Sequence, residues 1–160
     1  MEFIAEDLGY LTREVRKLQK DSGYPGMKVL EFAFDSREPS DYLPHRYTRD
    51  CVCYTGTHDN APLGQWLEEE KPEDVAYAKG YLGLSQEEGQ IWGVIRGGMG
   101  SVSDLFIAQM QDYLELGAEA RMNFPGTLSN NNWTWRAQDG MITDALAHRI
   151  RELTRLFDRI

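Results

Sequence analysis

The amino-acid sequence predicts an α/β fold of about four parallel strands, with helices packed on them and an amphipathic helix at the carboxyl end. Two observations carry this prediction: short apolar runs alternate with helical segments, and polar side chains follow each run. In (β/α) barrels, functional side chains collect where the strands end. A complete barrel has eight strands and typically ~250 residues, whereas this chain has 160 residues. We therefore expect residues 1–160 to form a single unit that is half of such a barrel.

Three of the four strands are predicted in the first part of the chain. Residues 2–5 form a short apolar run, and Thr12 can then cap a helix that stops at the breakers in DSGYPG. The run MKVLEFAF, residues 27–34, predicts the second strand. A polar connection that contains proline leads to CVCYTG, residues 51–56, which predicts the third strand.

Helices dominate the next part of the sequence. One is expected around QWLEEE, a second over Pro72–Leu82, and a third from Gln86, because Ser85 and Glu88 match a capping box. LFIAQM, residues 105–110, predicts the fourth strand. Gly97, Gly98 and Gly100 lack the signatures of a phosphate-binding loop and of a dinucleotide-binding motif, and they predict a helix end and a turn.

A loop rich in glycine, proline and asparagine follows over residues 117–136, before the final amphipathic helix. Apolar residues recur at helical spacing in that helix, and we expect this stripe to face the core. Its members are Ile142, Leu146, Ile150, Leu153 and Phe157.

Composition and charge exclude several classes of protein. The net charge of -9 and the pI of about 4.8 would repel nucleic acid and anionic membranes. No run approaches the ~18 apolar residues of a membrane span, and the first residues do not resemble a signal peptide. Cys51 and Cys53 lack CxxC spacing and are read as small buried hydrophobes. We therefore expect a cytoplasmic protein that binds neither nucleic acid nor membranes.

Candidate functional residues lie at the end of each predicted strand. They are the pairs Glu6 and Asp7, Phe34 and Asp35, His58 and Asp59, and Gln111 and Asp112. His58 and Asp59 are of particular interest, because both would be costly to bury at a strand end without partners. From these residues alone, they are a hydrogen-bonded pair, two metal ligands or part of an active site. An acid pair such as Glu6 and Asp7 is also typical of a helix cap or a solvated turn.

Five blocks of sequence carry a family resemblance. They are IAEDLGYLT (4–12), YPGMKVLEFAFD (24–35), YLPHRY (42–47), YTGTHDN (54–60), and EARMNFPGT with NNWTWR (119–127 and 131–136). In this order they resemble the carboxyl-terminal half of the 4-α-glucanotransferases, also called amylomaltases or disproportionating enzymes. The resemblance implies a retaining transfer of α-1,4-glucan segments between malto-oligosaccharides or starch-type glucans, within an interrupted eight-stranded barrel. It implies no cofactor and no metal.

The resemblance also implies roles for individual residues. Glu6 matches the family's general acid/base, which protonates the departing glycosidic oxygen and then activates the acceptor hydroxyl. Asp59 matches the third carboxylate, which holds hydroxyls of the transferred sugar and favours its distorted transition state, and His58 matches its neighbour on the same sugar. Phe32 matches an aromatic residue beside the acceptor-side sugar, and Asn123 matches a polar contact in the sugar cleft. Trp133 is a candidate for a ring on which a sugar stacks.

The chain departs from the family pattern in one major respect. The family's nucleophile is an aspartate in an Arg-x-Asp-His block, and these 160 residues contain no such block. Since double displacement needs two carboxylates flanking the bond, we expect the isolated chain to be close to inactive. The outer strands of a half barrel also present unpaired backbone groups, so we expect self-association. Smaller departures are Ala61, Pro62 and Asn131, which affect the expected specificity.

Three interpretations of function therefore follow from the sequence. The first is a catalytically incomplete fragment of a 4-α-glucanotransferase. The second is a carbohydrate-binding half barrel without turnover. The third is an unrelated metal-dependent hydrolase built on Glu6, His58 and Asp59, although no further histidine lies at ligand spacing.

Overall fold

A three-stranded parallel sheet forms the centre of the structure. The computed structural model describes residues 3–9 and 11–160, and within them the strands are β1 (Gly26–Val29), β2 (Cys51–Tyr54) and β3 (Leu105–Ile107). The strand order is β1-β2-β3, with β2 in the middle. Because all three strands are parallel, their carboxyl ends meet at one edge of the sheet. The prediction of parallel strands alternating with helices is confirmed.

The strand predicted over residues 2–5 is not formed by its described part, residues 3–5. Residue 2 lies outside the described residues. Only one backbone bond joins this segment to the start of β1, from the Ala5 amide to the Pro25 carbonyl at 2.9 Å. Pro25 has no amide to donate in return, and the Met27 amide donates to the Asp7 carboxylate instead, at 2.6 Å. A side chain therefore takes the bond that a neighbouring strand would have made.

The strand predicted over residues 27–34 is also shorter than expected. It ends at Val29, and residues Leu30–Phe32 form a turn of 3₁₀ helix closed by a bond from the Ala33 amide to the Leu30 carbonyl, 2.9 Å. Phe32 and Phe34 therefore do not lie on one side of a strand, although their spacing in the run would place them there. Phe34 is buried at 2% exposure, whereas Phe32 is 46% exposed. The tight turn rotates Phe32 out of the core.

Helices cover the sheet and connect its strands. They are α1 (Arg13–Ser22), α2 (Leu63–Glu69), α3 (Pro72–Leu82), α4 (Gln90–Met99), α5 (Met110–Tyr113) and α6 (Asp144–Leu156). The predicted cap of α1 is confirmed, because the Thr12 hydroxyl accepts the Val15 amide at 3.3 Å. The range predicted for α3 is confirmed as well. None of the helices in the described ranges is both long and apolar enough to cross a bilayer.

The start of α4 differs from the prediction. The Glu88 amide donates to the Ser85 hydroxyl at 3.2 Å, as in a capping box, but the helix begins only at Gln90. Gly89 has a φ of 90°, which a right-handed helix cannot contain. The Glu88 side chain pairs with Arg96 at 2.9 Å instead of folding back over the helix start.

The core lies between the sheet and helices α2, α3 and α4. Its centre is aromatic: Phe34 packs against the rings of Trp66, Tyr77 and Tyr81 at centroid distances of 5.8 to 6.1 Å. Both cysteines are buried and unpaired, as predicted. The stripe on α6 packs against this core through its last four members, which are half-buried: Leu146, Ile150, Leu153 and Phe157. Ile142 precedes the helix and is exposed, so that part of the prediction is wrong.

Candidate active site

One cavity opens at the carboxyl ends of the three strands. Its volume is about 1120 Å³. The turn after β1 contributes Phe32, the loop after β2 contributes Gly56 to Ala61, and the segment after β3 contributes Ala108 and Gln109. The segment before α1 closes another side with Glu6. Glu6 and Asp59 therefore line the same cavity.

His58 and Asp59 lie in the loop after β2, and they are more exposed than expected. Their side chains are 57% and 47% exposed, so the pair is not buried at the strand end. Thr55, Gly56 and Thr57 continue the chain beyond β2 before the pair is reached, and Thr55 and Gly56 are the buried residues. The loop thus lifts both side chains out of the core and into the cavity wall. Because water reaches both side chains, they do not carry the desolvation cost that the sequence suggested.

Three groups hold Asp59 in place. The Asn123 side-chain amide donates to Asp59 Oδ1 at 2.6 Å, although the two residues are 64 positions apart. The Arg121 Nη2 donates to the backbone carbonyl of Asp59 at 3.0 Å. His58 Nε2 lies 3.4 Å from Asp59 Oδ1, which is a longer contact. Asn123 is therefore placed to orient the Asp59 carboxylate, and one oxygen of that carboxylate is free of this bond.

Trp133 stacks next to this group. Its ring centroid lies 4.9 Å from that of His58, with the rings tilted by 42°, and the indole is 61% exposed. The backbone of Trp133 has a φ of 64°, a conformation that costs a non-glycine residue about 1 kcal/mol or more. A bond from its amide to the Met122 carbonyl, 2.7 Å, supports this backbone. The structure thus places an exposed aromatic face beside the predicted sugar-binding histidine.

Phe32 presents a second aromatic surface to the cavity. Its ring packs edge-on against Tyr42, with centroids 5.8 Å apart. Glu6, also exposed, lines the same cavity. The predicted site residues are therefore brought together: Glu6, Phe32, His58 and Asp59 line the cavity, while Asn123 and Trp133 contact Asp59 and His58. Over the described residues, no group of three His, Cys, Asp or Glu side chains is placed to hold a metal ion.

A buried carboxylate, Asp112, ties together the two ends of the loop that carries His58 and Asp59. At one end the Thr55 hydroxyl donates to Asp112 Oδ2 at 2.6 Å, and at the other the Leu63 amide donates to Oδ1 at 2.8 Å. Burial raises the pKa of Asp112 to about 6, although its hydrogen bonds with Leu63 and Thr55 oppose that change. Sequence reasoning noted Asp112 only as a polar residue at a strand end.

This raised pKa predicts a specific pH dependence of stability. The pKa of Asp112 is about 6 in the folded chain and 3.8 in the unfolded chain. The protonated carboxyl group therefore stabilises the fold at low pH, and this contribution is lost as the pH rises through 6. The difference in unfolding free energy between the wild type and Asp112→Asn should therefore fall by about 3 kcal/mol between about pH 4 and about pH 8. Urea unfolding at several pH values measures it. A difference that does not change with pH would contradict the assignment.

Sequence reasoning missed Glu31 and Arg121. Glu31 lines the cavity beneath the loop, and Arg121 holds the Asp59 backbone. A signal for Glu31 was present, since it is the only charged residue in the run VLEFAF, and an acid inside an apolar run needs a reason. For Arg121 no such signal exists, because its partner lies 62 positions away.

Comparison with known proteins identifies the family. A family model described as 4-alpha-glucanotransferase matches residues 1–143. The 4-alpha-glucanotransferase of Clostridium butyricum is 50% identical over 164 residues, which cover 99% of this chain and 33% of that protein. The 4-alpha-glucanotransferase of Synechocystis is 42% identical over 157 residues, which cover 98% of this chain and 31% of that protein.

A solved structure agrees with these matches. The amylomaltase from Streptococcus agalactiae in complex with acarbose superposes with a TM-score of 0.92 at 36% identity, covering 97% of this chain and 31% of that one. The α/β fold with its small parallel sheet thus matches part of an amylomaltase, and the chain spans about one third of the length of these relatives. The chain belongs to the 4-alpha-glucanotransferase family.

Proposed function

We propose that this chain supplies the acid/base and sugar-binding part of a 4-α-glucanotransferase, which transfers α-1,4-glucan segments between malto-oligosaccharides with retention of configuration. The observation that carries the proposal is that Glu6 and Asp59 line one cavity at the carboxyl ends of parallel strands. Residues 1–160 act as a single unit in this account, and the remainder of the barrel comes from segments that the longer relatives possess.

Glu6 is the general acid/base in this proposal. A sugar alkoxide is a poor leaving group, so its oxygen must receive a proton as the glycosidic bond breaks. Glu6 gives that proton to the departing oxygen, and its carboxylate later takes the proton of the acceptor hydroxyl as the new bond forms. The exposed position of Glu6 at the mouth of the cavity leaves room for both sugars.

Asp59 and His58 grip the sugar that is transferred. The bond from Asn123 fixes one oxygen of the Asp59 carboxylate, and the other oxygen accepts sugar hydroxyls. A negative charge there also favours the positively charged transition state of the sugar. Trp133 and Phe32 offer exposed aromatic faces for the apolar sides of sugar rings. No cofactor takes part, because carboxyl groups perform each proton transfer.

The nucleophile comes from outside these 160 residues. Retaining transfer needs a second carboxylate about 5 to 5.5 Å from the acid/base, and the sequence contains no Arg-x-Asp-His block. The isolated chain is therefore close to inactive. Its open sheet also exposes the apolar side chains of Leu105 and Ile107 on the edge strand β3, and these favour self-association when the rest of the barrel is missing.

Complementation tests this proposal. The chain is mixed with the part of the Clostridium butyricum relative that precedes the matched region, and maltotriose is supplied as the substrate. We expect glucose and longer malto-oligosaccharides from the mixture and almost none from either component alone. Transfer by the isolated chain would contradict the need for an external nucleophile. A mixture of two folded components without transfer would contradict the proposed roles of Glu6 and Asp59.

A second candidate is glucan binding without turnover. It is favoured by the fact that Asp59, Asn123, His58 and Trp133 are assembled within this chain alone. Calorimetric titration with maltoheptaose separates the two functions. Binding by the isolated chain, together with an inactive mixture, supports a binding module, whereas activity of the mixture supports the transferase.

A further inference from the structure

Glu31 is a partly buried acid at the floor of the cavity. Its Oε1 atom is shielded from solvent and has no hydrogen-bond partner among the described residues. Its backbone amide donates to the Thr55 carbonyl at 3.3 Å, which links the turn after β1 to the end of β2. The carboxyl group of Glu31 thus lies beneath the loop that carries His58 and Asp59. None of the roles described above uses it.

Packing around Gly56 shows how closely Glu31 approaches this loop. A Cβ atom placed on Gly56 would lie 2.8 Å from Glu31 Oε1 and 2.9 Å from Asn60 Cβ. It would also lie 3.0 Å from the side-chain nitrogen of Gln109. These three side chains therefore converge on the side of Gly56 where another residue would carry its Cβ atom. Only glycine at this position leaves room for the carboxyl group of Glu31.

Hydrogen bonds continue from this contact to Asp59. The Asn60 Oδ1 atom accepts both the amide and the hydroxyl of Thr57, each at 2.9 Å. The Thr57 hydroxyl oxygen in turn accepts the Asp59 amide at 3.3 Å. Each member of this series restricts the next, and the series ends at the backbone of Asp59.

We propose that Glu31 is a positioning residue, whose carboxyl group supports Gly56 and Asn60 from below and so sets the place of Asp59 in the cavity. It acts through the loop and does not touch the substrate. The proposal deepens the proposed function and rests on it only where glucan affinity is concerned.

The surroundings of Glu31 favour its protonated, uncharged form. Burial raises the pKa of Glu31 well above its ordinary value, and the neighbouring carboxylate of Asp112 raises it further. The nearby Asn60 side chain and the charge of Arg121 lower this pKa, while Glu70 raises it. A protonated carboxyl group resembles an amide in size and hydrogen bonding, so glutamine should replace it well. Ionisation would add a negative charge beneath the loop and disturb it.

The experiment compares Glu31→Gln and Glu31→Leu in the full 160-residue chain. Its main measurement is the NMR signal of the Asn123 side-chain amide, which bonds to Asp59 and is assigned with Asn123→Gln. At about pH 5, Glu31→Gln should retain the wild-type signal, and Glu31→Leu should displace it. Glu38→Gln, an exposed acid outside the cavity, is the control.

Two results would overturn the proposal. One is an unchanged Asn123 signal in folded Glu31→Leu. The other is a displaced Asn123 signal in folded Glu31→Gln at about pH 5, which decides the matter even if Glu31→Leu does not fold. A purely structural role would lower the unfolding temperature of Glu31→Leu without displacing the Asn123 signal.

Acarbose affinity provides a separate measurement. Glu31→Leu should bind acarbose about 10-fold more weakly than the wild type, as expected for the loss of one well-placed hydrogen bond, and Glu31→Gln should restore the affinity. If the wild type does not bind acarbose, glucan binding by the isolated chain is contradicted. The Asn123 signal still decides the positioning role in that case, so the two failures are distinguishable.

Discussion

Replacing Glu6 with glutamine is expected to lower maltotriose disproportionation in the complemented mixture by about 10²- to 10⁴-fold, the range typical for loss of a general acid/base. Glutamine has nearly the same shape but cannot give a proton to the glycosidic oxygen. Because Glu6 is exposed, the variant should fold as the wild type does. Initial rates of glucose release from maltotriose, with an unchanged unfolding temperature, measure the effect.

The control for this variant is Glu38→Gln, which removes an exposed acid that does not line the cavity. It should leave the rate unchanged. A Glu6→Gln mixture that retains more than about half of the wild-type rate would show that Glu6 is not the proton donor, because general acid/base groups contribute far more than twofold.

Replacing Asp112 with alanine should lower the free energy of unfolding by about 3 to 5 kcal/mol. The change leaves the Thr55 hydroxyl and the Leu63 amide buried without an acceptor, at about 1 to 3 kcal/mol for each group, and it also opens a small cavity. Both partners are almost completely buried. A total stability of about 5 to 15 kcal/mol is usual for a domain, so this variant should be close to its unfolding threshold at room temperature.

Urea unfolding at about pH 4, where the folded chain still holds Asp112 protonated, measures this effect, and Thr55→Val serves as its partner variant. The valine removes only one of the two bonds to Asp112, so its cost should be about 1 kcal/mol. A loss below about 1 kcal/mol in Asp112→Ala would mean that the loop between Thr55 and Leu63 does not depend on the buried carboxylate.

Local sequence signals predicted the elements whose causes are local. Thr12 caps α1, and the range of α3 matches its prediction, because a cap and a proline at the first helical turn act within a few residues. Parallel topology places the segments after β1, β2 and β3 at one edge of the sheet, and it therefore predicts the position of Asp59. Glu6 lines the same cavity from a segment that forms no strand, and the family resemblance pointed to this residue.

The missed features depend on partners far along the chain. Asp112 binds Thr55 and Leu63 across 57 and 49 positions, and Asn123 reaches Asp59 across 64. No pattern in the residues around Asn123 indicates that partner, and only the family resemblance pointed to this residue. The missing strand over residues 3–5 has a similar cause, since the Asp7 side chain takes the Met27 amide that a neighbouring strand would have bound.

The exposure of His58 and Asp59 shows how a loop changes the cost of polar groups. The sequence suggested a pair at the end of a buried strand, with both groups in need of partners. Three residues of loop separate the pair from β2, and Asp112 and Glu31 form the buried polar layer beneath them instead. The burial cost thus falls on the carboxyl groups below the loop, and the pair above it is left accessible to a ligand.

The most direct test of the account is a crystal structure of the complemented complex with acarbose. We predict that the acarbose lies in the cavity at the carboxyl ends of β1, β2 and β3, with the Asp59 carboxylate on the hydroxyls of one ring and the Glu6 carboxyl group beside a neighbouring linkage. An acarbose molecule bound elsewhere on the chain, or one that contacts Asp59 while Glu6 points away from every linkage, would contradict it.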